Sequence, residues 1–148
     1  VAENIYLGRM PSKKSGFVDD RKLEADAYKV LERLGVQDVI HVNDYPANLT
    51  VAQQQIVEIA RALSVDSKIL IMDEPTRGID VGAKHEIYEI MSDLAKQGKA
   101  IIMISSEMSE LLGMADRICV MCNGKLTGEI DQPEEMTQAR VMGFATKF

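Results

Sequence analysis

The sequence is poor in aromatic residues, cysteine, proline and basic charge, and each shortage excludes a class of protein. It has no tryptophan, two cysteines and four prolines, so it is neither a disulfide scaffold nor a proline-rich low-complexity chain. Basic residues number 17 against 23 acidic ones, and this formal charge of −6 argues against nucleic acid as a partner. No apolar run approaches the roughly 20 residues of a membrane-spanning helix. With 46% hydrophobic residues, the chain is expected to form a globular domain rather than a disordered segment.

The first residues lack the order of a signal peptide. Val1-Ala2-Glu3-Asn4 shows no basic segment followed by an apolar one. A valine stands where an initiator methionine is expected, which indicates that the sequence starts inside a longer one.

The two cysteines, Cys119 and Cys122, form a single C-x-x-C within an apolar run that predicts a strand. In a strand, residues three apart point to opposite faces, so the pair is a poor redox or metal motif. We expect two reduced cysteines, in the core or half-buried.

The first half of the sequence predicts helices. After a short helical piece and a polar connector, Asp19 or Asp20 can cap a helix with apolar residues at steps of three and four, and Gly35 stands at its end. Thr50 is followed by Gln53 with the spacing of a capping box, which predicts the start of a third helix.

From Lys68 onward, short apolar runs alternate with a helix, as in parallel strands that are covered on both faces. A strand-helix-strand crossover of this length implies a right-handed parallel unit. Asn123-Gly124, between two strand-like runs, predicts a hairpin. The expected elements are a strand over 69–72, a helix from 81 to about 97 capped by Asp80, a strand over 100–104, and hairpin strands over 118–122 and 125–130.

Two adjacent carboxylates, Asp73 and Glu74, follow the first of these strands. Ligands bind at the carboxyl ends of strands in open α/β sheets, and Mg²⁺ takes one or two carboxylates together with waters and substrate phosphates. The second carboxylate could orient or deprotonate an attacking water. The alternative is a polar strand end whose acids cap a neighbouring helix.

Four motifs, in this order, resemble those of an ABC transporter ATPase. They are the signature motif at Leu49-Thr50-Val51-Ala52-Gln53, Walker B at Met72-Asp73-Glu74-Pro75-Thr76, the D-loop at Gly78-Ile79-Asp80, and the switch region at Met103-Ile104-Ser105-Ser106-Glu107. More narrowly, residues 57–63, 76–84 and 105–108 resemble the tandem ATPases of bacterial importers of sugars such as ribose, galactose and xylose. The resemblance covers essentially the whole chain.

The resemblance implies an α/β fold: part of a P-loop NTPase (RecA-like) parallel sheet with an N-terminal helical subdomain. Residues 1–66 would be the helical subdomain with the signature motif. Residues 67–148 would be the C-terminal half of the ATPase core, with Walker B, the D-loop, the switch region, and a C-terminal hairpin and helix. The implied partners are transmembrane permease subunits, a second ATPase cassette and, indirectly, a sugar-binding protein. The implied location is peripheral, on the cytoplasmic face of the plasma (inner) membrane.

The resemblance also assigns roles, with ATP and Mg²⁺ as cofactors. Glu74 would be the general base that positions the hydrolytic water, and Asp73 would hold Mg²⁺ through its water shell. The signature motif, at a helix N-terminus, would meet the γ-phosphate of ATP across a dimer interface, because that end of a helix favours anions. Asp80 would serve the D-loop, although a role as an N-cap alone is equally open.

Three departures from the family pattern bear on activity. Val51 and Ala52 replace a glycine pair that lets the backbone approach phosphate closely. Ser106 occupies the position of the switch histidine, as in the weak or non-hydrolytic second cassette of the tandem ATPases, and neither His41 nor His85 can replace it. The phosphate-binding run G-x-x-x-x-G-K-[ST] does not occur in these 148 residues.

These departures leave several interpretations open. Residues 1 to about 76 resemble a first cassette and residues from Arg77 a second, so a deletion that joined the two at Walker B competes with a single cassette of mixed character. In function, an ATP-hydrolysing importer subunit competes with a non-catalytic module that donates its signature motif to a partner cassette. A degraded remnant is the third reading.

The resemblance implies that a phosphate-binding strand, absent from this sequence, would lie between the strands over residues 100–104 and 118–122. Its loss would leave buried edges whose orphaned polar groups cost about 1–3 kcal/mol each. We therefore expect these two strands to pair directly, and we expect purified material to be oligomeric or poorly soluble.

The chain alone is predicted to show no ATP turnover above background and to bind MgATP weakly, because it carries neither the phosphate-binding run nor the switch histidine. Calorimetry and a phosphate-release assay on the purified chain measure both. A dissociation constant in the micromolar range would contradict the prediction.

Overall fold

The structure, a computed structural model, describes residues 1–147. The chain divides into two units, Val1–Met103 and the residues from Ile104 on. The sequence predicts another boundary, between residues 66 and 67, which would divide the helical subdomain from the ATPase core. That division stays a prediction. The helices are α1 (Ala2–Ile5), α2 (Asp20–Arg33), α3 (Val51–Leu63), α4 (Val81–Lys96), α5 (Met108–Met114) and α6 (Gln138–Ala145), and the strands are β1 (Ile69–Asp73), β2 (Ala100–Ile104), β3 (Ile118–Cys122) and β4 (Lys125–Ile130).

Helix α2 begins and ends where the sequence predicts. The Asp19 carboxylate accepts a hydrogen bond from the Lys22 amide at 3.3 Å, so Asp19 rather than Asp20 is the N-cap. Leu23, Ala27 and Leu31 form its buried stripe. The helix ends before Gly35, whose φ of 72° is a conformation that glycine adopts at little cost.

Helix α3 is held at its C-terminal end by Arg9, which follows α1. The Arg9 guanidinium donates to the Ile5 carbonyl at 3.3 Å, to the Arg61 carbonyl at 3.4 Å and to the Ser64 hydroxyl at 2.9 Å. Ser64 is the C-cap of α3. A cation at this position complements the negative end of the helix dipole, so one side chain both joins α1 to α3 and stabilises the end of α3.

Strands β1 and β2 form a two-stranded sheet. The Ala100 amide donates to the Lys68 carbonyl at 2.9 Å, which places the starts of the two strands side by side, so the strands are parallel as predicted. The expected coverage of both faces is wrong for β1. Leu70 and Met72 are buried, whereas Ile69 and Ile71 are 58% and 66% exposed, because the described residues cover only one face of this strand.

The second unit contains the predicted hairpin. β3 and β4 are antiparallel, with Ile118 opposite Ile130 and Cys122 opposite Lys125. Asn123 and Gly124 both have positive φ, 50° and 74°, as a two-residue hairpin turn requires. The buried core of this unit consists of Ile118, Val120, Ile130 and Val141.

Direct pairing between β2 and β3 is a wrong prediction. Within residues 1–147, β2 belongs to a sheet with β1, and β3 belongs to a separate sheet with β4. The residues of β2 alternate between exposed and half-buried. Water can therefore reach the free edge of β2, and the cost of orphaned buried groups that motivated the prediction does not arise.

Cys119 also departs from expectation. It is exposed, and only Cys122 is half-buried as expected; both are free thiols. The alternation along β3 explains the difference, because Ile118 and Val120 take the buried face and leave Cys119 on the other.

Gly128 lies in β4 directly beneath the ring of Phe144 in α6. A Cβ atom at residue 128 would lie 2.2–2.5 Å from three carbons of that ring. Arg140 and Lys147 flank the same ring, with their charged groups 5.0 and 4.2 Å from its centroid. The close approach of α6 to the hairpin therefore depends on the absence of a side chain at this position.

Gly128→Ala is expected to destabilise the second unit by about 1–3 kcal/mol, the usual cost of overpacking. The matched control is Gly143→Ala in α6, where a new Cβ meets nothing within 4 Å and a helical glycine is lost. Urea unfolding with exchange of the β3 and β4 amides as readout measures both. Equal stability of the two variants would show that Phe144 does not pack on Gly128.

Candidate functional site

The predicted acid pair lies at the carboxyl end of β1. Asp73 is the last residue of the strand and is exposed; Glu74 follows it and is half-buried. Glu74 has a φ of 48°, a left-handed conformation that is uncommon outside glycine. Such a conformation costs of order 1–3 kcal/mol and persists only where the surroundings hold it, often at functional sites.

A tight turn fixes the backbone directly after Glu74. The Arg77 amide donates to the Glu74 carbonyl at 3.1 Å, and the Ile79 amide donates to the Thr76 carbonyl at 3.2 Å. Thr76 is 1% exposed and Ile79 is 9% exposed. After β1 the chain thus forms a tight turn that contains buried residues, and it reaches the predicted D-loop at residues 78–80.

Asp80 is the N-cap of α4. Its carboxylate accepts a hydrogen bond from the Ala83 amide at 3.0 Å, as the capping alternative in the sequence implied. The D-loop role of Asp80 stays a prediction. Gly82 follows in the first turn, where a Cβ would lie 3.3 Å from the capping oxygen of Asp80.

The predicted signature motif forms the start of α3 and contains a complete capping box. The Thr50 hydroxyl accepts from the Gln53 amide at 3.2 Å, and the Thr50 amide donates to Gln53 Oε1 at 3.0 Å. Gln54 Nε2 also donates to the carbonyls of Pro46 and Leu49, which holds the preceding turn against the helix. The amides of Val51 and Ala52, at the first two positions of the helix, have no intrahelical acceptor.

Val51 and Ala52 differ in exposure, although both replace glycines of the family pattern. Val51 is 57% exposed at the first position of the helix, whereas Ala52 is 5% exposed and belongs to the core. An anion approaching the helix N-terminus would therefore meet the branched side chain of Val51, while the Ala52 methyl group is turned away. Of these two side chains, only that of Val51 would obstruct an anion that approaches the N-terminus of α3.

The predicted switch residue, Ser106, is exposed in the loop that joins β2 to α5 in the second unit. The preceding residue, Ser105, has a hydrogen-bonding role that the sequence did not indicate. The Ser105 hydroxyl donates to Glu110 Oε2 at 2.7 Å and accepts from the Glu107 amide at 3.0 Å. His41 and His85 are both exposed, and His85 Nε2 lies 3.3 Å from Glu89 Oε1.

The acid pair, Asp73 and Glu74, does not by itself form a complete set of ligands for Mg²⁺. Over residues 1–147, no three His, Cys, Asp or Glu side chains form a group that could hold a metal ion. A single exposed carboxylate at Asp73 nevertheless suits an ion that keeps most of its waters and also binds phosphate oxygens.

No helix among the described residues is long and apolar enough to cross a bilayer.

Comparisons with known proteins show what this chain is similar to. The family model described as "ABC transporter" matches residues 1–77. The chain is 50% identical over 131 residues to a galactose/methyl galactoside import ATP-binding protein of Clostridium tetani, covering 88% of this chain and 26% of that protein. It is 42% identical over 146 residues to a ribose import ATP-binding protein of Bacillus subtilis, covering 99% and 29%. The chain thus spans between a quarter and a third of the length of these relatives.

Solved structures with a similar fold are ATP-binding cassettes of ABC transporters. One, in its ADP conformation, has a TM-score of 0.76 at 26% identity and covers 97% of this chain and 61% of its own. Another, nucleotide-free, has a TM-score of 0.73 at 26% identity and covers 86% and 53%.

Thr50→Ala is expected to destabilise the start of α3 by about 0.5–2 kcal/mol, because the Gln53 amide loses its acceptor. Thr50→Ser keeps the hydroxyl and serves as the control. Amide exchange of Gln53, measured on both variants, reports the cap directly. Unchanged exchange in Thr50→Ala would mean that the capping box contributes nothing to the helix.

Proposed function

The chain belongs to the ABC transporter family, and from that premise we propose that it acts within an ATP-binding subunit that energises import of a monosaccharide. The observation that carries this proposal is the acid pair at the carboxyl end of β1, where Glu74 is held in a left-handed conformation. The α/β architecture and the ATP-binding cassettes of similar fold support it. Relatives named for galactose and ribose import support a sugar as the transported molecule.

Asp73 and Glu74 would divide the chemistry of hydrolysis between them. Asp73, exposed at the strand end, would hold Mg²⁺ through its water shell. Bound there, Mg²⁺ would neutralise charge that develops on the phosphate oxygens. Glu74 would orient the attacking water and accept its proton. Because backbone hydrogen bonds hold the turn after Glu74, the main chain from which its carboxylate extends is ordered before any substrate binds.

The start of α3 would bind the γ-phosphate of ATP held by a second cassette. The amides of Val51 and Ala52, together with the positive end of the helix dipole, are suited to a phosphate oxygen. The Thr50 hydroxyl faces the same end of the helix, but one of its acceptor positions is occupied by the Gln53 amide. This surface is exposed, which also supports the second candidate function, a non-catalytic module that donates its signature motif to a partner cassette.

The family implies the setting of such a subunit. Transmembrane permease subunits and a second cassette would be the direct partners, and a sugar-binding protein would act indirectly. The subunit would lie peripherally on the cytoplasmic face of the plasma (inner) membrane.

The experiment that tests the catalytic proposal is Glu74→Gln in a full-length protein that carries this segment beside a phosphate-binding loop. Loss of the general base is expected to lower steady-state ATP hydrolysis by about 10²–10⁴-fold. Glu86→Gln, which removes the same charge from an exposed position in α4, is the matched control and is expected to leave hydrolysis unchanged. Asp80→Asn and Ser106→Ala are expected to cost less than Glu74→Gln.

Unchanged hydrolysis in Glu74→Gln would contradict the base assignment and leave the donor module as the better reading. Sugar uptake in cells that express the same variants separates the two further. A catalytic subunit loses uptake together with hydrolysis, whereas a donor module keeps both when Glu74 is changed.

A further inference from the structure

One buried carboxylate lies outside the acid pair. Glu110, in the first turn of α5, is 4% exposed. A buried carboxylate is costly unless hydrogen bonds compensate for its lost hydration. The Ser105 hydroxyl supplies such a bond at 2.7 Å, a length typical of a hydroxyl that donates to a charged acceptor.

Ser105 makes a second hydrogen bond at the same time. Its oxygen accepts from the Glu107 amide at 3.0 Å. A serine hydroxyl has one donor and two acceptor positions, so the two bonds do not compete. The carboxylate orients the hydroxyl hydrogen towards itself and thereby turns an oxygen lone pair towards the amide.

These two hydrogen bonds, from Ser105 to Glu110 and from the Glu107 amide to Ser105, form a relay at the start of α5. Glu107 is the N-cap of α5, but its side chain makes no capping hydrogen bond. The hydroxyl of Ser105 instead binds the Glu107 amide from two residues earlier. Ser106 stands between these two residues, so its backbone is fixed on both sides.

We propose that Glu110 is a positioning residue of the switch region: through the Ser105 hydroxyl, it fixes the loop that presents Ser106. The inference deepens the proposed function and rests on it in one respect, the assignment of Ser106 to the switch position. The physical relay itself requires no nucleotide. Glu110 acts through the side chain of Ser105 and is not a catalytic residue.

The relay can be tested on the chain as it is, without ATP. Glu110→Gln keeps an oxygen that can accept from Ser105, whereas Glu110→Met fills a similar volume and removes the acceptor. Hydrogen-exchange mass spectrometry, with fragmentation that resolves the amides around residue 107, compares the two variants. The β3 and β4 amides report the folding of the unit as a whole.

Glu110→Met is expected to speed exchange of the Glu107 amide by about 2- to 10-fold, the effect of losing one hydrogen bond. Ser105→Ala is expected to give a similar increase, and the double variant is expected to add nothing further. Glu110→Gln should remain within about twofold of the unchanged chain. Ser109→Ala, at an exposed position of the same helix, is the control and should have no effect.

Two results would overturn the proposal. One is equal exchange of the Glu107 amide in Glu110→Gln and Glu110→Met. The other is an increase at Glu107 that the β3 and β4 amides share in Glu110→Met, which would reduce Glu110 to a contributor to stability. Neither result bears on ATP hydrolysis, so failure here is distinguishable from failure of the Glu74 assignment.

Discussion

The need to satisfy the first amides of each helix is the constraint on which the other features of this chain depend. An α-helix leaves its first four amides without intrahelical partners. Side-chain oxygens of Asp19, Thr50, Asp80 and Thr137 each bind an amide three residues ahead and so determine where four helices begin. Two of these caps lie inside predicted motifs, the signature motif and the D-loop. The positions of the motif residues therefore follow from local hydrogen bonds.

The same constraint sets up a competition at the signature motif. A cap that stabilises α3 occupies the Gln53 amide, while an anion bound by the motif would need amides of the same turn. The structure resolves the competition by position, since the cap takes the third amide and leaves those of Val51 and Ala52. Helix stability and the proposed phosphate contact would thus use different donors of one turn, and the exposed side chain of Val51 stands beside the donors that a phosphate would use.

Sequence alone predicted the features whose causes are local. The capping box needs only Thr50 and Gln53, and the hairpin needs only Asn123-Gly124 between two apolar runs, so both were predicted at the correct residues. The predictions that failed depended on distant parts of the chain. Pairing of β2 with β3 depends on which edges water can reach, and coverage of β1 depends on what packs above it. The different exposure of Val51 and Ala52 follows from which face of α3 packs against the core. The bond between Ser105 and Glu110 has no spacing rule that would have indicated it.

The hydrogen bonds of Arg9 have a consequence at the opposite end of α3. That helix has 13 residues and is therefore about 20 Å long, and over such a length a helix is nearly rigid. Arg9 fixes its last turn against α1, so the axial position of the first turn is set as well. Together with the buried face of the helix, a guanidinium group that touches neither Thr50 nor Val51 thus helps to set where they lie.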